Sequence, residues 1–350
     1  MADLCIFYDE SFKLHKPWFH HPENPERLEL IVSSLKRYGV WGRAEVVEPP
    51  RSAAARDLAL RIHDESYVAE VERASKLGDQ MLDPDTYVNR HTYSVALLVL
   101  AAADAAAREV ARGSCRAAMV LARPPGHHAG RYGRAMGAPT LGFCIFNASA
   151  LAAVTLADMG HRVLLVDFDL HHGNGTQDIL YSDPRVVHVD LHQDPATVYP
   201  GSGWPWQTGD GEARGTKINV VLPPGAGDDA LRRAYEEALD LAKAVSRSYD
   251  YVVFSAGFDA YQGDGLGLLR ATSRFFHWVA SATISEVKPR GIVAIWEGGY
   301  SVGIERGAPA FAAALLGEDD PVDDEATTSH PSVMKALENN LRALRAYVRA

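Results

Sequence analysis

The chain has 350 residues, of which 47% are hydrophobic, and a formal net charge of −10; this is enough for one large α/β domain or two small ones with a full core. No segment is rich enough in lysine and arginine to neutralise several phosphates, so the composition argues against nucleic acid as a main partner. The longest aliphatic run, residues 95–103, is too short to cross a bilayer, and the first residues lack the pattern of a signal peptide, so we expect a soluble, cytoplasmic protein without a membrane partner.

The predicted elements alternate between strands and helices along the chain. Strands are predicted at residues 5–8, 44–47, 117–122, 163–167, 186–191, 217–222, 251–255 and 291–296. Helices are predicted at 26–38, 53–61, 65–77, 92–112, 147–159, 228–249, 272–287, 308–316 and 332–346. Long loops rich in proline, glycine, histidine or aromatic residues lie at 12–25, 123–140 and 193–215. This alternation predicts a single domain over 1–350, built on one parallel sheet with helices on both faces.

The three cysteines, Cys5, Cys115 and Cys144, are far apart in the sequence and follow no spacing pattern. Isolated cysteines favour free thiols in a reducing compartment over a disulfide framework or a cysteine-based zinc site. This expectation agrees with a cytoplasmic location.

The apolar strand predicted at 163–167 ends in acidic residues. Asp167 and Asp169 lie two positions apart, so a strand presents them on the same side, and His171 follows two positions later. Open α/β sheets bind ligands at such strand ends. An acid-rich turn with a helix capped at Asn174 or Thr176 is the alternative, but two aspartates at the edge of an apolar core are costly unless a cation meets them.

Four predicted strands end in residues suited to chemistry. The segments GHH, DFDLH, GFDA and EGGY follow the strands that begin at 117, 163, 251 and 291, and the ends of parallel strands meet at one edge of a sheet. Asp169, His171 and Asp259 are the candidate metal ligands, because three protein groups leave a position open for water or substrate. This donor set favours Zn²⁺ and leaves Fe²⁺, Co²⁺ and Mn²⁺ open.

Two adjacent histidines and a tyrosine complete a candidate catalytic group. His127 and His128 follow a Pro-Gly turn that could aim both rings at the metal. Asp167 is a candidate partner for one ring and Asn174 for the other; a carboxylate favours the imidazolium, whereas an amide only orients the ring. We therefore expect one cationic histidine and one that titrates near neutral pH. Tyr300, after two glycines, is suited to stabilise an oxyanion, and the whole group predicts metal-assisted amide hydrolysis.

The segments RPPGHHAG, GFCIFN, VDFDLHHGNGTQDI, DLHQ, GFDA and EGGY resemble the histone deacetylase superfamily over residues 5–320. The asparagine at position 174 makes this sequence resemble the class II branch and the group of bacterial histone deacetylase-like amidohydrolases and acetylpolyamine amidohydrolases. The resemblance implies an arginase/deacetylase-like, open three-layer α/β fold with a mainly parallel sheet of about eight strands. It also implies a zinc-dependent deacylase that acts on acyl-lysine or other acylated amines.

The resemblance assigns roles to individual residues. It makes His128 the general base and acid, His127 its electrostatic partner backed by Asp167, and Tyr300 the oxyanion donor. Phe143 and Tyr199 match the aromatic residues of the acyl-lysine tunnel, with Tyr199 in place of the more usual phenylalanine. A structural K⁺ site is implied at five residues: Asp167, Asp169, His171, Asp190 and Leu191.

The residues at the rim of the tunnel indicate which kind of amine leaves in the reaction. Asp85 matches a rim aspartate that accepts substrate N–H groups. Leu266 matches a position that is acidic in a polyamine-specific branch, so it argues for acyl-lysine or an uncharged substrate, although Asp85 or Glu23 could supply acidity. The alternatives are an acetylpolyamine amidohydrolase, a binuclear manganese hydrolase that needs further ligands, and a non-catalytic protein that binds acyl groups or carboxylates. A homo-oligomer is also open.

Overall fold

Strands and helices alternate in the computed structural model, which describes residues 2–51 and 54–348. The strands are β1 (Ala2–Phe7), β2 (Glu45–Val47), β3 (Gln80–Met81), β4 (Tyr87–Val88), β5 (Cys115–Val120), β6 (Val163–Asp167), β7 (Val186–Gln193), β8 (Lys217–Leu222), β9 (Tyr251–Ala256) and β10 (Gly291–Trp296). The helices are α1 (Glu26–Arg37), α2 (Ala55–Leu60), α3 (Glu65–Leu77), α4 (Thr92–Arg112), α5 (Ala148–Asp158), α6 (Asn174–Leu180), α7 (Asp228–Val245), α8 (Ser273–Val287), α9 (Ala308–Leu316) and α10 (Pro331–Val348).

Eight of the strands form one sheet in the order β2-β1-β5-β10-β9-β6-β7-β8. Every pairing in this sheet is parallel, which confirms the predicted α/β architecture. All residues of β6, β8, β9 and β10 are buried. Because successive side chains of a strand point to opposite faces, helices and loops must cover both faces of the sheet.

The helices predicted at 65–77, 92–112 and 308–316 have the same bounds as α3, α4 and α9. Those predicted at 26–38, 147–159, 272–287 and 332–346 differ from α1, α5, α8 and α10 by one or two residues at an end. The predicted helix at 53–61 begins at a position outside the described residues, and the described helix is α2. The helix predicted over 228–249 ends earlier, at Val245. The sequence analysis gave a helix at the position of α6 only as the alternative to a metal site. It did not predict the short antiparallel hairpin of β3 and β4. Among the described residues, no helix combines the length and hydropathy needed to span a membrane.

The expectation that all three cysteines are free thiols is wrong. Cys5 and Cys115 form a disulfide with their Cα atoms 6.0 Å apart, and Cys144 remains free and buried. The two cysteines are 110 residues apart in sequence, but they lie on strands that are neighbours in the sheet, β1 and β5. Sequence spacing could not reveal this proximity, because it arises from the order of the strands.

Candidate active site

The four strands that end in chemically unusual segments are consecutive in the sheet, in the order β5, β10, β9 and β6. Their registers align the carboxyl ends: Val120 pairs with Ile295, Ile295 with Ser255, and Ser255 with Asp167. The segments that follow these strands therefore emerge at one edge, as the sequence predicted.

The predicted metal ligands form a compact group. One donor atom each from Asp169, His171 and Asp259 lies within 4.8 Å of the others, and all three residues are buried. Nδ1 of His171 is 3.1 Å from Oδ1 of Asp169 and 2.9 Å from Oδ2 of Asp259. Backbone N–H groups hold the other oxygens: Gly298 donates to Oδ2 of Asp169, and Leu170 donates to Oδ1 of Asp259.

One oxygen of this group has a single polar neighbour. Oδ2 of Asp259 is buried, and among the described residues its close polar contact is Nδ1 of His171 at 2.9 Å, in a geometry too bent for a regular hydrogen bond. Burial and the charge of Asp169 raise the pKa of Asp259 to about 6. A buried carboxylate oxygen of this kind is costly unless a cation meets it. Two carboxylates and one imidazole fit a divalent transition metal, which the deacetylase resemblance also implies.

At two glycines the backbone passes very close to the carboxylate of Asp169. A Cβ atom at Gly257 would lie 1.9 Å from Oδ2 of Asp169, and one at Gly298 would lie 2.4 Å from it. No side chain fits at either distance. The glycines of the GFDA and EGGY segments are therefore needed for this close approach, as glycine often is where backbone meets a ligand site.

The two histidines have different partners. Nδ1 of His127 is 3.0 Å from Oδ2 of Asp167, and Nδ1 of His128 is 2.7 Å from Oδ1 of Asn174. Burial alone would lower the pKa of His127, but the carboxylates of Asp169 and Asp167 outweigh it and hold this pKa well above its ordinary value. The sequence predicted both partners, and the structure shows which ring each one contacts.

His128 is less basic than the sequence led us to expect. Burial, together with the nearby His127 and His171, lowers the pKa of His128 well below its ordinary value rather than leaving it near neutral. The ring is therefore neutral at pH 7. Because Nδ1 donates its hydrogen to Asn174, the unprotonated Nε2 is the atom that can accept a proton.

Glu297 is a residue that the sequence analysis did not assign. Its Oε2 accepts from the backbone N–H groups of Gly126 and His127, at 2.8 and 3.1 Å, and its Oε1 accepts from Oγ of Ser149 at 2.7 Å. Glu297 is fully buried at the end of β10. It therefore ties the histidine loop to the sheet. A glutamate before two glycines at a predicted strand end was the signal that could have identified it.

Tyr300 is held from two sides. Its backbone N–H donates to Oδ2 of Asp264 at 2.7 Å, and the Arg27 guanidinium lies 4.6 Å from the centre of its ring. Arg27 also donates to the carbonyls of Gly299 and Glu297, both at 2.6 Å. Burial raises the pKa of Tyr300 well above its ordinary value, so its hydroxyl keeps its proton at neutral pH. Neither Arg27 nor Asp264 was predicted.

A cavity of about 400 Å³ opens onto His128, His171 and Tyr300. It is lined by Asp85, His128, Gly142, Phe143, His171, Thr197, Val198, Tyr199, Leu266 and Tyr300. All four predicted tunnel and rim residues are among them. The hydroxyl of Tyr199 donates to the carbonyl of Thr140 at 2.9 Å. Its polar group is therefore engaged by the loop and does not stand free in the cavity.

A second group of polar residues lies beside the first. Asp167, His188 and Asp190 bring donor atoms within 4.8 Å of one another, and Asp167 pairs with Asp190 in the register of β6 and β7. Asp167 and Asp190, two of the five residues expected around K⁺, are thus adjacent, and Leu191 follows Asp190 in the chain. His188 was not predicted; its ring nitrogens have no hydrogen-bond partner among the described residues.

Comparisons with known proteins place these features in a family. Residues 21–315 match the histone deacetylase domain. An uncharacterized protein of Methanocaldococcus jannaschii is 36% identical over 97% of this chain and 96% of its own length. A probable deacetylase of Archaeoglobus fulgidus is 34% identical over 86% of this chain and 82% of its own.

A solved structure has the same fold as this chain. The crystal structure of the HDA15 HD domain superposes with a TM-score of 0.87 and 31% identity, over 99% of this chain and 96% of that one. The two relatives quoted above are archaeal, so the expectation of a bacterial, class II-like protein stays a prediction. The domain match and the shared fold lead to one conclusion: the chain belongs to the histone deacetylase family.

Proposed function

We propose that this deacetylase-family protein is a Zn²⁺-dependent amidohydrolase that removes acyl groups from lysine side chains. The observation that carries the proposal is the buried group of Asp169, His171 and Asp259, whose donor atoms lie within 4.8 Å of one another. His171 lines the same cavity as His128 and Tyr300. Fe²⁺ and Co²⁺ are the alternative metals, because the donor set is harder than a three-histidine site. A structural K⁺ beside Asp167 and Asp190 belongs to the same proposal.

Asp169, His171 and Asp259 would hold the metal. When bound, the metal polarises the substrate carbonyl and lowers the pKa of the attacking water. The backbone donors of Gly298 and Leu170 fix one oxygen of each carboxylate. The ligands therefore need little reorganisation when a substrate arrives.

The remaining residues move protons and stabilise charge. Nε2 of His128 accepts a proton from the attacking water and later returns it to the leaving amine, while Asn174 orients the ring. The cationic His127, paired with Asp167, adds a fixed positive charge close to the reacting atoms. The hydroxyl of Tyr300 donates a hydrogen bond to the carbonyl oxygen as negative charge develops on it. Phe143 and Tyr199 line the cavity around the aliphatic lysine chain.

The first experiment measures metal content and hydrolysis together. Purified protein with a measured zinc content is given acetyl-lysine peptide, trifluoroacetyl-lysine peptide, acetylputrescine and acetylspermidine, with and without a chelator. We expect chelator-sensitive turnover of the lysine peptides, restored by added Zn²⁺. An Asp259→Ala variant should lose both the metal and the turnover. Zinc-loaded protein that hydrolyses none of the substrates would favour the non-catalytic binding protein.

A further inference from the structure

We infer that Trp18 and Phe19 form an apolar subsite at the cavity mouth, which binds a hydrophobic side chain close to the acylated lysine in a peptide. The inference rests on the proposed deacylase function and adds to it a preference for polypeptide substrates with an apolar neighbour. The two residues are called the mouth pair below.

The mouth pair is large, apolar and open to solvent. Trp18 is 49% exposed and Phe19 is 40% exposed. Their rings meet edge to face with centroids 5.0 Å apart, so each supports the orientation of the other. Single exposed hydrophobic residues are ordinary, but adjacent exposed aromatic rings beside a binding cavity mark a candidate contact surface.

A series of ring contacts connects the mouth pair to the cavity. Phe19 lies 5.6 Å from His21, and His21 lies 4.7 Å from Phe143, which lines the cavity. His21 is fixed in place: Glu23 N–H donates to its Nδ1 at 3.1 Å, and its Nε2 donates to the Asp85 carbonyl at 3.1 Å. The buried ring of His21 therefore connects Phe19 to the cavity wall through two ring contacts.

The distance suits a peptide. Two ring contacts separate Phe19 from the channel wall, and an extended chain advances about 3.3 Å per residue. A residue one to three positions from the acylated lysine can therefore place its side chain on the mouth pair. A short acylated diamine lying along the channel has no hydrophobic side group to place there.

The cavity lining offers little negative charge to a distal ammonium. Asp85 is the one carboxylate among the described residues that line the cavity. Its Oδ2 accepts from Oγ1 of Thr140 at 2.6 Å, and its Oδ1 accepts from Oγ1 of Thr86 at 2.8 Å. Among these lining residues a distal ammonium would find only this carboxylate, and it would share the carboxylate with both hydroxyl groups.

The second acidic candidate from the sequence, Glu23, is not accessible to an ammonium in the cavity. Glu23 is fully buried, and its carboxylate is paired with Arg123 at 2.7 Å and with Arg27 at 3.3 Å. Leu266 adds an apolar side chain to the cavity lining. Among the described residues that line the cavity, Asp85 is therefore the one negative charge that could attract a distal ammonium.

The test uses zinc-loaded full-length protein and a set of acetyl-lysine peptides. Phenylalanine is placed in turn at each of three positions on either side of the acetyl-lysine, in an otherwise alanine–glycine peptide of constant length. The all-alanine peptide and acetylputrescine complete the set. We expect one phenylalanine position to raise kcat/KM by about tenfold over the all-alanine peptide, mainly through a lower KM, because an apolar side chain leaves water.

A double variant, Trp18→Ser with Phe19→Ser, should reduce that ratio to near one. Trp206→Ser is the matched control, because Trp206 is 54% exposed and does not line the cavity. It should preserve the ratio. Sedimentation of the wild type and the double variant at the assay concentration detects self-association through the same surface.

The outcomes separate the two proposals. Turnover of the all-alanine peptide without any phenylalanine preference keeps the deacylase proposal and overturns the subsite. A preference that survives in the double variant also overturns it, as does faster turnover of acetylputrescine than of every peptide. A wild-type dimer that the double variant dissociates would assign the mouth pair to self-association instead. Failure to hydrolyse any substrate contradicts the proposed function itself.

Discussion

Contacts with Asp264 and Arg27 hold Tyr300 in position. The carboxylate of Asp264 accepts its backbone N–H, and the Arg27 guanidinium packs against its ring, so the phenol is fixed in position while its hydroxyl stays protonated. The contacts that fix the residue involve its backbone and its ring. The hydroxyl can therefore be removed without disturbing them.

Replacing Tyr300 with Phe should lower kcat by about a hundredfold or more, because one oxyanion donor is lost. Bound zinc should remain at the wild-type level, since Tyr300 is not among the proposed ligands. Metal analysis and steady-state kinetics on the same preparation check both statements. Wild-type turnover in this variant would remove Tyr300 from the proposed chemistry.

The partner of His128 should set the pH range of activity. Asn174 accepts from Nδ1 of His128, and replacing it with Asp places a negative charge there that favours the imidazolium. The proposed reaction requires neutral His128, so a higher pKa of His128 moves the acidic limb of the kcat/KM profile to higher pH, by about one unit or more. The profile of wild type and Asn174→Asp measures the shift. An unmoved or more acidic limb would contradict the assignment of His128 as the base.

At the scale of elements, the sequence predicted all eight strands of the central sheet. Runs such as 163–167 and 291–296 are entirely apolar or end in acids, and such runs form strands buried on both faces. The hairpin of β3 and β4 has strands of two residues each, too short for a periodic pattern. Helix α6 begins with Asn-Gly-Thr, residues typical of turns, and tertiary packing decides its conformation.

The ligands and the histidine pair could be predicted because their spacing and their positions at strand ends carry the information. Arg27, Asp264 and Glu297 could not, because their partners are distant in sequence: Arg27 bonds to a carbonyl 272 residues away. The disulfide between Cys5 and Cys115 was missed for the same reason. Contacts between distant elements become visible only when the strand order is known.

Glu297 links two such elements, and its replacement should weaken that link. In Glu297→Gln, an N–H₂ group faces donors that now bind a carboxylate oxygen, so we expect the free energy of unfolding to fall by about 1–3 kcal/mol. Urea denaturation measures the change. Glu286→Gln is the control, because Glu286 is a half-exposed partner of Lys243. Equal stability of both variants would contradict the role of Glu297 as a tether.

At the scale of the whole molecule, a buried ionic group joins the N-terminal region to the sheet. Glu23, ahead of α1, contacts Arg123 after β5 and accepts from the hydroxyl of Tyr87 on β4 at 2.6 Å. Burial would raise the pKa of Glu23, but the charge of Arg123, together with His15 and Arg27, outweighs it and lowers that pKa strongly. The group therefore stabilises the fold only while Glu23 is ionised.

Because the pKa of Glu23 is lowered in the folded state, the contribution of Glu23 to the free energy of unfolding decreases at acidic pH. Glu23 contributes stability above its unfolded pKa of about 4.3 and loses it as the pH falls toward its folded value. Glu23→Gln should be less stable than wild type at pH 7, by about 3 kcal/mol, because buried Arg123 loses its partner. The difference should shrink between pH 5 and pH 3. Urea unfolding of both proteins across this range is the measurement; a difference that stays constant with pH would exclude the ionic contribution.

The order of the strands also bears on the synthesis of the protein. β10 lies between β5 and β9, so it joins a block formed by β2, β1 and β5 to a block formed by β9, β6, β7 and β8. Until residues 291–296 have left the ribosome, a nascent chain holds two partial sheets, each with an open edge that can pair with other chains. Glu297 and Tyr300 follow this strand directly, so the two edges become protected just before the chain gains Tyr300, the last residue of the proposed catalytic group.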